Sequence, residues 1–267
     1  MEVLVTRQHE KAAAFSALHH GEAFVIPNPW DAGSARMLEA LGFKALATTS
    51  AGFAFTLGHL DGEATLDEVI AHVAALDRAT TLPISVDLEN GYSSDPLEAA
   101  TAVIKIARAG AVGGSIEDYD PDAGIYDMHR AAERIAAAAE ATRSLAFPFM
   151  LTARAENHIR GNPDLDDTIN RLQAYEQAGA DVLYAPGLKT VNEIRAVCES
   201  LTRPVNVLAR ANLTFAEIVE AGAQRVSVGG ALTWVAVRAA MDAARSIAEG
   251  DFSRLNAAVP LSTWFAV

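Results

Sequence analysis

The chain has 267 residues, 51% of them hydrophobic, with a mean hydropathy of +0.14, which is long for an ordinary domain, normal for one α/β barrel, and enough to bury a large core. Its 34 acidic and 21 basic residues give a formal charge of -13, which repels phosphate backbones and argues against a nucleic-acid partner, and whose plainest meaning is solubility. No apolar run approaches the roughly 20 residues of a membrane helix, the opening MEVLVTRQHEKAAAF reads as no signal peptide, and the one cysteine, Cys198, allows no internal disulfide; a cytoplasmic protein is expected.

Short β-branched runs alternate with amphipathic helical ones. In chain order, strands are predicted at Ala23–Pro27 and Lys44–Ser50, then a helix over Leu66–Arg78, whose Val69, Ile70, Val73, Ala74 and Leu76 fall mostly on one face. The strand Pro83–Glu89 precedes the helix Pro96–Ala109, Gly113–Asp118 precedes Met128–Thr142, and Phe147–Arg154 precedes Leu165–Ala178. Asp181–Pro186, Pro204–Ala209 and Arg225–Gly230 complete eight strands, with helices over Val191–Leu201, Phe215–Ala221 and Leu232–Glu249. A glycine in the joints at 41–43, 109–111, 178–180 and 221–223 closes one helix before the next strand. Nearly continuous apolar strands suit a parallel sheet covered on both faces. Eight βα units in this length predict a single (β/α)8 TIM-barrel domain over 1–267, with a short extension at about 251–267. The rival, a doubly wound open sheet, would carry a Gly-rich phosphate loop after its first strand, where this chain reads PNPWD. Trp264 and Phe265 in the extension call for a packing partner, either the same barrel or a neighbouring subunit.

Barrel chemistry sits at the C-terminal ends of strands. The ends here read TTSAG at 48–52, DLENGY at 87–92, SIEDYD at 115–120 and ARAENH at 153–158, with Asn206 and the SVGG of 227–230 on the last two. Asp87 and Glu89, two apart on a strand, are expected on one side of it, with Glu117 at the matching end of the next strand. One such acid alone is ordinarily a surface group or an ion-pair partner, but three at adjacent strand ends repel one another unless a cation sits among them. Their hard oxygens favour Mg²⁺, or Mn²⁺, over Zn²⁺. Arg154 is either a structural ion-pair partner of these acids or a clamp for a substrate carboxylate. The backbone at Thr49, Ser50 and Ala51 is a candidate anion nest.

The ordered set NPWDAGSA (28–35), GFKAL (42–46), DLENGY (87–92), GSIED (114–118), Ala153–Arg154 and GADVL (179–183) resembles the isocitrate lyase / phosphoenolpyruvate mutase superfamily over roughly residues 20–245. The resemblance implies a barrel assembled as a homotetramer or homodimer, often with the last barrel helix exchanged between subunits. It implies Mg²⁺ bound by Asp87, with Asp61, Glu89 and Glu117 holding its waters, and a small oxo-carboxylate whose carboxylate lies against Thr49–Ala51 and meets Arg154. For Asp61 that likeness is the sole ground.

The departures narrow the chemistry. Lyases of this group that cleave isocitrate or 2-methylisocitrate carry a Lys-x-Cys-Gly-His type loop after the fourth strand, where this chain reads DYDPDAGIYDMH (118–129), with neither Cys nor Lys. Many also place a Glu just after the sixth strand, where Pro186 stands here. Cys198 falls in a helix and reads as structural. Decarboxylation of a 3-carboxy-2-oxo acid such as oxaloacetate, through a metal-stabilised enolate finished by a solvent proton, asks least of the missing groups. It is expected ahead of an isocitrate- or 2-methylisocitrate-type retro-aldol cleavage. Hydrolysis of a C–C or C–P bond beside an oxo acid, and a non-catalytic 2-oxo acid binding protein, stay open as alternatives. Arg154, Glu117, Tyr126 and His129 are the candidate catalytic residues, with His158 a further acid/base candidate; Thr49, Ser50, Ala51, Arg154 and Asn206 are the candidate substrate contacts.

Overall fold

Turn chemistry fixes where each helix starts. Asp31, Thr65, Asp95, Asp127, Asp164, Thr190 and Thr214 each stand just before a helix, and their side-chain oxygens accept from N–H groups of its first turn. At Thr65, Thr190 and Thr214 a glutamate three residues on returns the bond to the cap's own N–H.

The structure is a computed structural model and describes residues 2–255 and 259–265. In chain order it contains α1 (Glu2–Leu18), β1 (Phe24–Ile26), α2 (Ala32–Ala40), β2 (Leu46–Ala47), α3 (Ser50–Leu57), α4 (Leu66–Ala79), β3 (Ile84–Asp87), α5 (Pro96–Arg108) and β4 (Gly113–Glu117). A hairpin, β5 (Tyr119–Asp120) and β6 (Gly124–Ile125), leads into α6 (Met128–Arg143). Then come β7 (Met150–Arg154), α7 (Leu165–Ala178), β8 (Val182–Tyr184), α8 (Val191–Glu199), β9 (Val205–Leu208), α9 (Phe215–Glu220), β10 (Arg225–Ser227), α10 (Ala231–Ala248), a 3₁₀ turn at Ser253–Leu255 and α11 (Leu261–Phe265).

Eight strands pair in parallel in the order β1-β10-β9-β8-β7-β4-β3-β2. The ring closes where Ala47 N–H donates to the Pro27 carbonyl at 3.0 Å. With helices on its outside, this is the expected (β/α)8 barrel. Cross-strand register puts Asp87 beside Ser115, Glu117 beside Arg154, Arg154 beside Tyr184, Tyr184 beside Asn206, and Asn206 beside Arg225. Paired residues share a face, so these side chains form one inward-facing set. The bottom of the barrel is plugged by Phe15 of α1 with Phe24, Val112, Met150 and Val182. Above that plug the interior carries small and polar residues, Ala47, Ser85, Ser115 and Thr152, where a barrel usually stacks bulky branched ones.

Three departures from the predicted elements matter. The second strand is two residues long rather than Lys44–Ser50, because Thr49 caps α3, which begins at Ser50. The third strand ends at Asp87, and Glu89 lies beyond it with φ 49°. α1 and α3 were not foreseen, and of α2 only the end was, at the glycine of the 41–43 joint. The extension returns to its own barrel: Arg36 of α2 donates to the Phe265 carbonyl and lies over its ring.

Candidate active site

Two adjoining cavities open at the C-terminal ends of the strands. The inner one, of about 220 Å³, descends into the barrel and is lined by Thr48–Ala51, Asp87, Ser115, Tyr184, Asn206 and Arg225 among others. The outer one, of about 440 Å³, is lined by Glu89, Glu117, Tyr119 and Arg160. Ser50, Asp61 and Arg154 border both.

The acids reach this place by different local routes. Asp87 is the last residue of β3; its N–H donates to Thr48 Oγ1 at 2.9 Å, which ties it to the end of β2. Glu89 does not follow by strand alternation, as its sequence position suggested. Positive φ at Glu89 (49°) and Tyr92 (62°), a conformation that costs a bulky residue on the order of 1 kcal/mol, curls the chain so that the Tyr92 hydroxyl donates to Glu89 Oε1 at 3.4 Å. Glu117 ends β4, with its N–H bonded to the Glu89 carbonyl at 2.8 Å. Asp61 is an exposed loop residue at the edge of both cavities.

Arg154 runs between them. Its guanidinium lies 3.2 Å from Glu117, 3.7 Å from Asp87 and in a close ion pair with Glu156, which is fully buried. Arg160 reaches Glu117 at 3.7 Å and Glu156 at 3.0 Å while lying over the Tyr119 ring. Beneath them buried Asp118 accepts from Arg171, the Tyr175 hydroxyl and the Glu156 N–H, and so fixes the turn after β7.

Five carboxylates, Asp61, Asp87, Glu89, Glu117 and Glu156, thus meet two guanidiniums. Burial, with Asp87 and Asp61 close by, pushes the Glu89 carboxyl up to about 7. Burial raises Glu117 to about 8 against the opposing pull of Arg154, with Glu156 and Asp87 adding to the rise. Burial alone would lower the Arg154 pKa, but Glu117, Glu156 and Asp87 outweigh it and hold the guanidinium charged. The rim therefore carries uncompensated negative charge on hard oxygen donors, which is the environment a divalent cation relieves. Among the described residues no three His, Cys, Asp or Glu side chains gather as a ready-made ligand cage.

The remaining expected site residues divide. Thr49, Ser50 and Ala51 line the inner cavity as the cap and first turn of α3, whose leading N–H groups have no intrahelical acceptor. Asn206 lines it too, donating to Ser227 Oγ at 3.0 Å and accepting from Arg225 Nε at 2.8 Å. Tyr126 and His129 are not brought to either cavity. The Tyr126 hydroxyl donates to Asp120 at 2.8 Å beside the hairpin, and its ring faces Arg134. His129 is 84% exposed at the start of α6, beside Glu133. His158 bonds Thr168 Oγ1 at 2.9 Å, away from the cavities. Sequence reasoning missed Glu156, Arg160 and Arg225. The first two stand just past the end of β7, where the alternation of charge in RAENHIR was the available signal.

The sequence profile of phosphoenolpyruvate phosphomutase matches residues 15–248. A crystal structure of a lyase/mutase-type protein from Burkholderia cenocepacia J2315 superposes with a TM-score of 0.94 at 49% identity, covering 98% of each chain. The oxaloacetate decarboxylase of Rhodopseudomonas palustris (strain TIE-1) is 30% identical over 206 residues, 73% of this chain and 70% of its own. The 2-methylisocitrate lyase of Escherichia coli (strain K12) is 28% identical over 208 residues, 74% of this chain and 69% of its own.

Proposed function

The chain belongs to the phosphoenolpyruvate phosphomutase family, within the isocitrate lyase / phosphoenolpyruvate mutase superfamily, and from that premise we propose that it is a Mg²⁺-dependent carbon–carbon lyase of small 2-oxo carboxylates, of the oxaloacetate-decarboxylating kind. The observation that carries the reading is the excess of carboxylate over guanidinium at the mouth of a small cavity. Asp87 would hold the ion, with Asp61, Glu89 and Glu117 around its waters. When bound, Mg²⁺ supplies the positive charge that makes a 2-oxo group an electron acceptor.

The chain's own groups do the rest. The free N–H groups at the start of α3 receive the 1-carboxylate. Arg154, locked by Glu117 and Glu156, presents a fixed positive edge to the cavity and keeps the acids apart. The C3–carboxyl bond breaks, its electron pair passes toward the 2-oxo oxygen, CO₂ leaves, and C3 regains a proton from water. No protein acid is asked for at C3. This suits a cavity that neither Tyr126 nor His129 reaches, and it favours decarboxylation over the retro-aldol route of a 2-methylisocitrate lyase, which also requires a base for the 2-hydroxyl.

The test is pyruvate release from oxaloacetate by purified protein with and without EDTA. The expected result is an EDTA-sensitive rate well above that of free Mg²⁺, and a rate no better than free Mg²⁺ rejects the decarboxylase. Asp87→Ala is expected to lower kcat about 100- to 1,000-fold, the scale of losing an electrostatic stabiliser of the transition state. Full activity in that variant would remove Asp87 from the metal site. 2-Methylisocitrate and isocitrate, assayed in parallel, read out the retro-aldol alternative.

A further inference from the structure

We propose that Arg225 is the docking point for a second anionic group on the substrate, a carboxylate remote from the metal-chelating end, held deep in the barrel. This deepens the oxo-acid reading above and rests on it.

Arg225 opens β10 and lies at the floor of the inner cavity, only 4% exposed. Its bonds go to neutral groups alone: Nε donates to Asn206 Oδ1 at 2.8 Å, Nη2 to Thr152 Oγ1 at 3.0 Å, and Nη1 to His19 Nε2 at 3.2 Å. The tautomer of His19 follows from its other nitrogen, which lies 2.8 Å from the Phe15 carbonyl and therefore carries the proton. Burial, with Arg225 beside it, holds that ring down to about 3, so His19 accepts as a neutral imidazole.

Three of the five N–H groups are used in this way. Among the described residues no carboxylate pairs with Arg225, whereas Arg154 at the other end of the same cavity is surrounded by them. A buried charge without a counter-charge costs several kcal/mol, and here burial draws the guanidinium down to about 10. A strand start in a barrel core ordinarily takes an apolar residue. The cavity beside Arg225, walled by Tyr184, Asn206 and Ser227, gives a ligand access to it. An anion entering there gains a charge-assisted pair in a site already emptied of competing acids.

A carboxylate paired with a guanidinium is stabilised as an anion, which opposes its loss as CO₂. The group held by Arg225 is thus kept through the reaction, and the bond that breaks is the one from C3 to a separate carboxyl, with the chain between Arg225 and the chelating end left intact. The inferred substrate is a 2-oxo acid whose leaving carboxyl is at C3 and whose chain ends in a further acid. At about 220 Å³ the cavity is below the size of usual drug-sized pockets, which limits that chain to a few carbons.

Titration calorimetry with Mg²⁺ present tests this with matched ligands that carry no carboxyl at C3: 2-oxoglutarate against 2-oxopentanoate, and 2-oxoadipate against 2-oxohexanoate, pairs differing only in the terminal carboxylate. Oxalate serves as a probe of the metal end alone. The wild type is expected to prefer at least one diacid by about tenfold or more, the value of one charge-assisted contact. Arg225→Met is expected to erase that preference while oxalate and the monoacids bind as before. A wild type without the preference, or an Arg225→Met variant that keeps it, overturns the assignment while leaving the proposed function standing. Should Arg225→Met not fold, Arg225→Lys is read instead: a reduced preference supports the fork geometry and an unchanged one rejects it. Absence of Mg²⁺-dependent oxalate binding by the wild type overturns the proposed function and this assignment with it.

Discussion

His72 shows how a single buried ring sets a pH response away from the cavity. It lies on α4, 92% buried by its 8% exposure, stacked on Phe53 with centroids 4.1 Å apart and planes 17° from parallel, and its Nε2 has no hydrogen-bond partner. Burial, opposed only by Asp31, holds its pKa down to about 4. Above pH ~6.5 the ring is neutral folded and unfolded, and it contributes no pH dependence. As pH falls toward 4 the unfolded chain binds a proton that the folded chain refuses, so stability is lost through that window and the loss is complete below 4. His72→Phe keeps the stack and removes the proton site. Denaturant titrations of both proteins from pH 7 to 4 are expected to show the variant losing less stability, by up to roughly 3 kcal/mol; parallel curves would mean that the imidazole does not carry the effect. At this scale the sequence was readable for Asp87, Glu117 and Arg154, because each ends a strand whose pattern locates it. It was not readable for Arg225, since a basic residue at a strand start looks like a surface flank until the barrel closes around it. Nor was it readable for Glu89, which meets the site through a positive φ rather than through alternation.

Among the elements, α3 is the one that carries the N–H groups proposed for the 1-carboxylate, and the sequence concealed it. TTSAG reads as the frayed end of a strand, yet Thr49 accepts from the Gly52 N–H and begins a helix closed by Gly58 at φ 73°. What fixes its start is close approach. A Cβ at Gly52 would stand 2.5 Å from Thr233 Oγ1, 2.6 Å from Thr49 Cγ2 and 3.2 Å from Trp30 Cβ. Thr233, in the first turn of α10, is 1% exposed, so it has nowhere to retreat. Gly52→Ala is therefore expected to destabilise by ~1–3 kcal/mol, as overpacking does. Because the shift falls on Ser50 and Ala51, it should also raise KM for an oxo acid more than it lowers kcat. Thr233→Ala in the same chain opens the tightest contact, and partial recovery of Tm in the double variant is the signature of direct coupling. Equal Tm values for Gly52→Ala and wild type would show that α3 slides freely. The hairpin β5–β6 was equally hidden: its two strands are two residues each, below what periodicity detects, and it is held by Asp120 accepting from the N–H groups of Asp122 and Ala123.

On the scale of the whole molecule, alternation and length sufficed to reveal the barrel, because eight apolar runs separated by capped helices leave few other ways to cover a parallel sheet. They did not show how the eighth unit ends. α10 is amphipathic and 18 residues long, yet Thr233 is its one buried residue, and Trp234, Val235, Met241 and Ile247 are exposed, with Phe252 just beyond. Exposed apolar side chains in this number on a barrel's outer helix offer surface that a partner could cover, and a second copy of the chain is the partner the resemblance led one to expect. The formal charge of -13 acts against such an encounter, since two like-charged bodies repel over a Debye length of roughly 10 Å at 0.1 M salt. The two effects have opposite salt dependences. Added salt screens the repulsion and leaves apolar burial intact, so association through α10 is expected to tighten between low and moderate ionic strength. Analytical ultracentrifugation at several concentrations and salt levels reads this directly, and Val235→Glu with Ile247→Glu is expected to shift the protein toward monomer. A wild type that sediments as a monomer throughout would mean that α10 is no self-association surface, and an assembly that salt dissociates would mean that charge pairing rather than this helix holds the copies together.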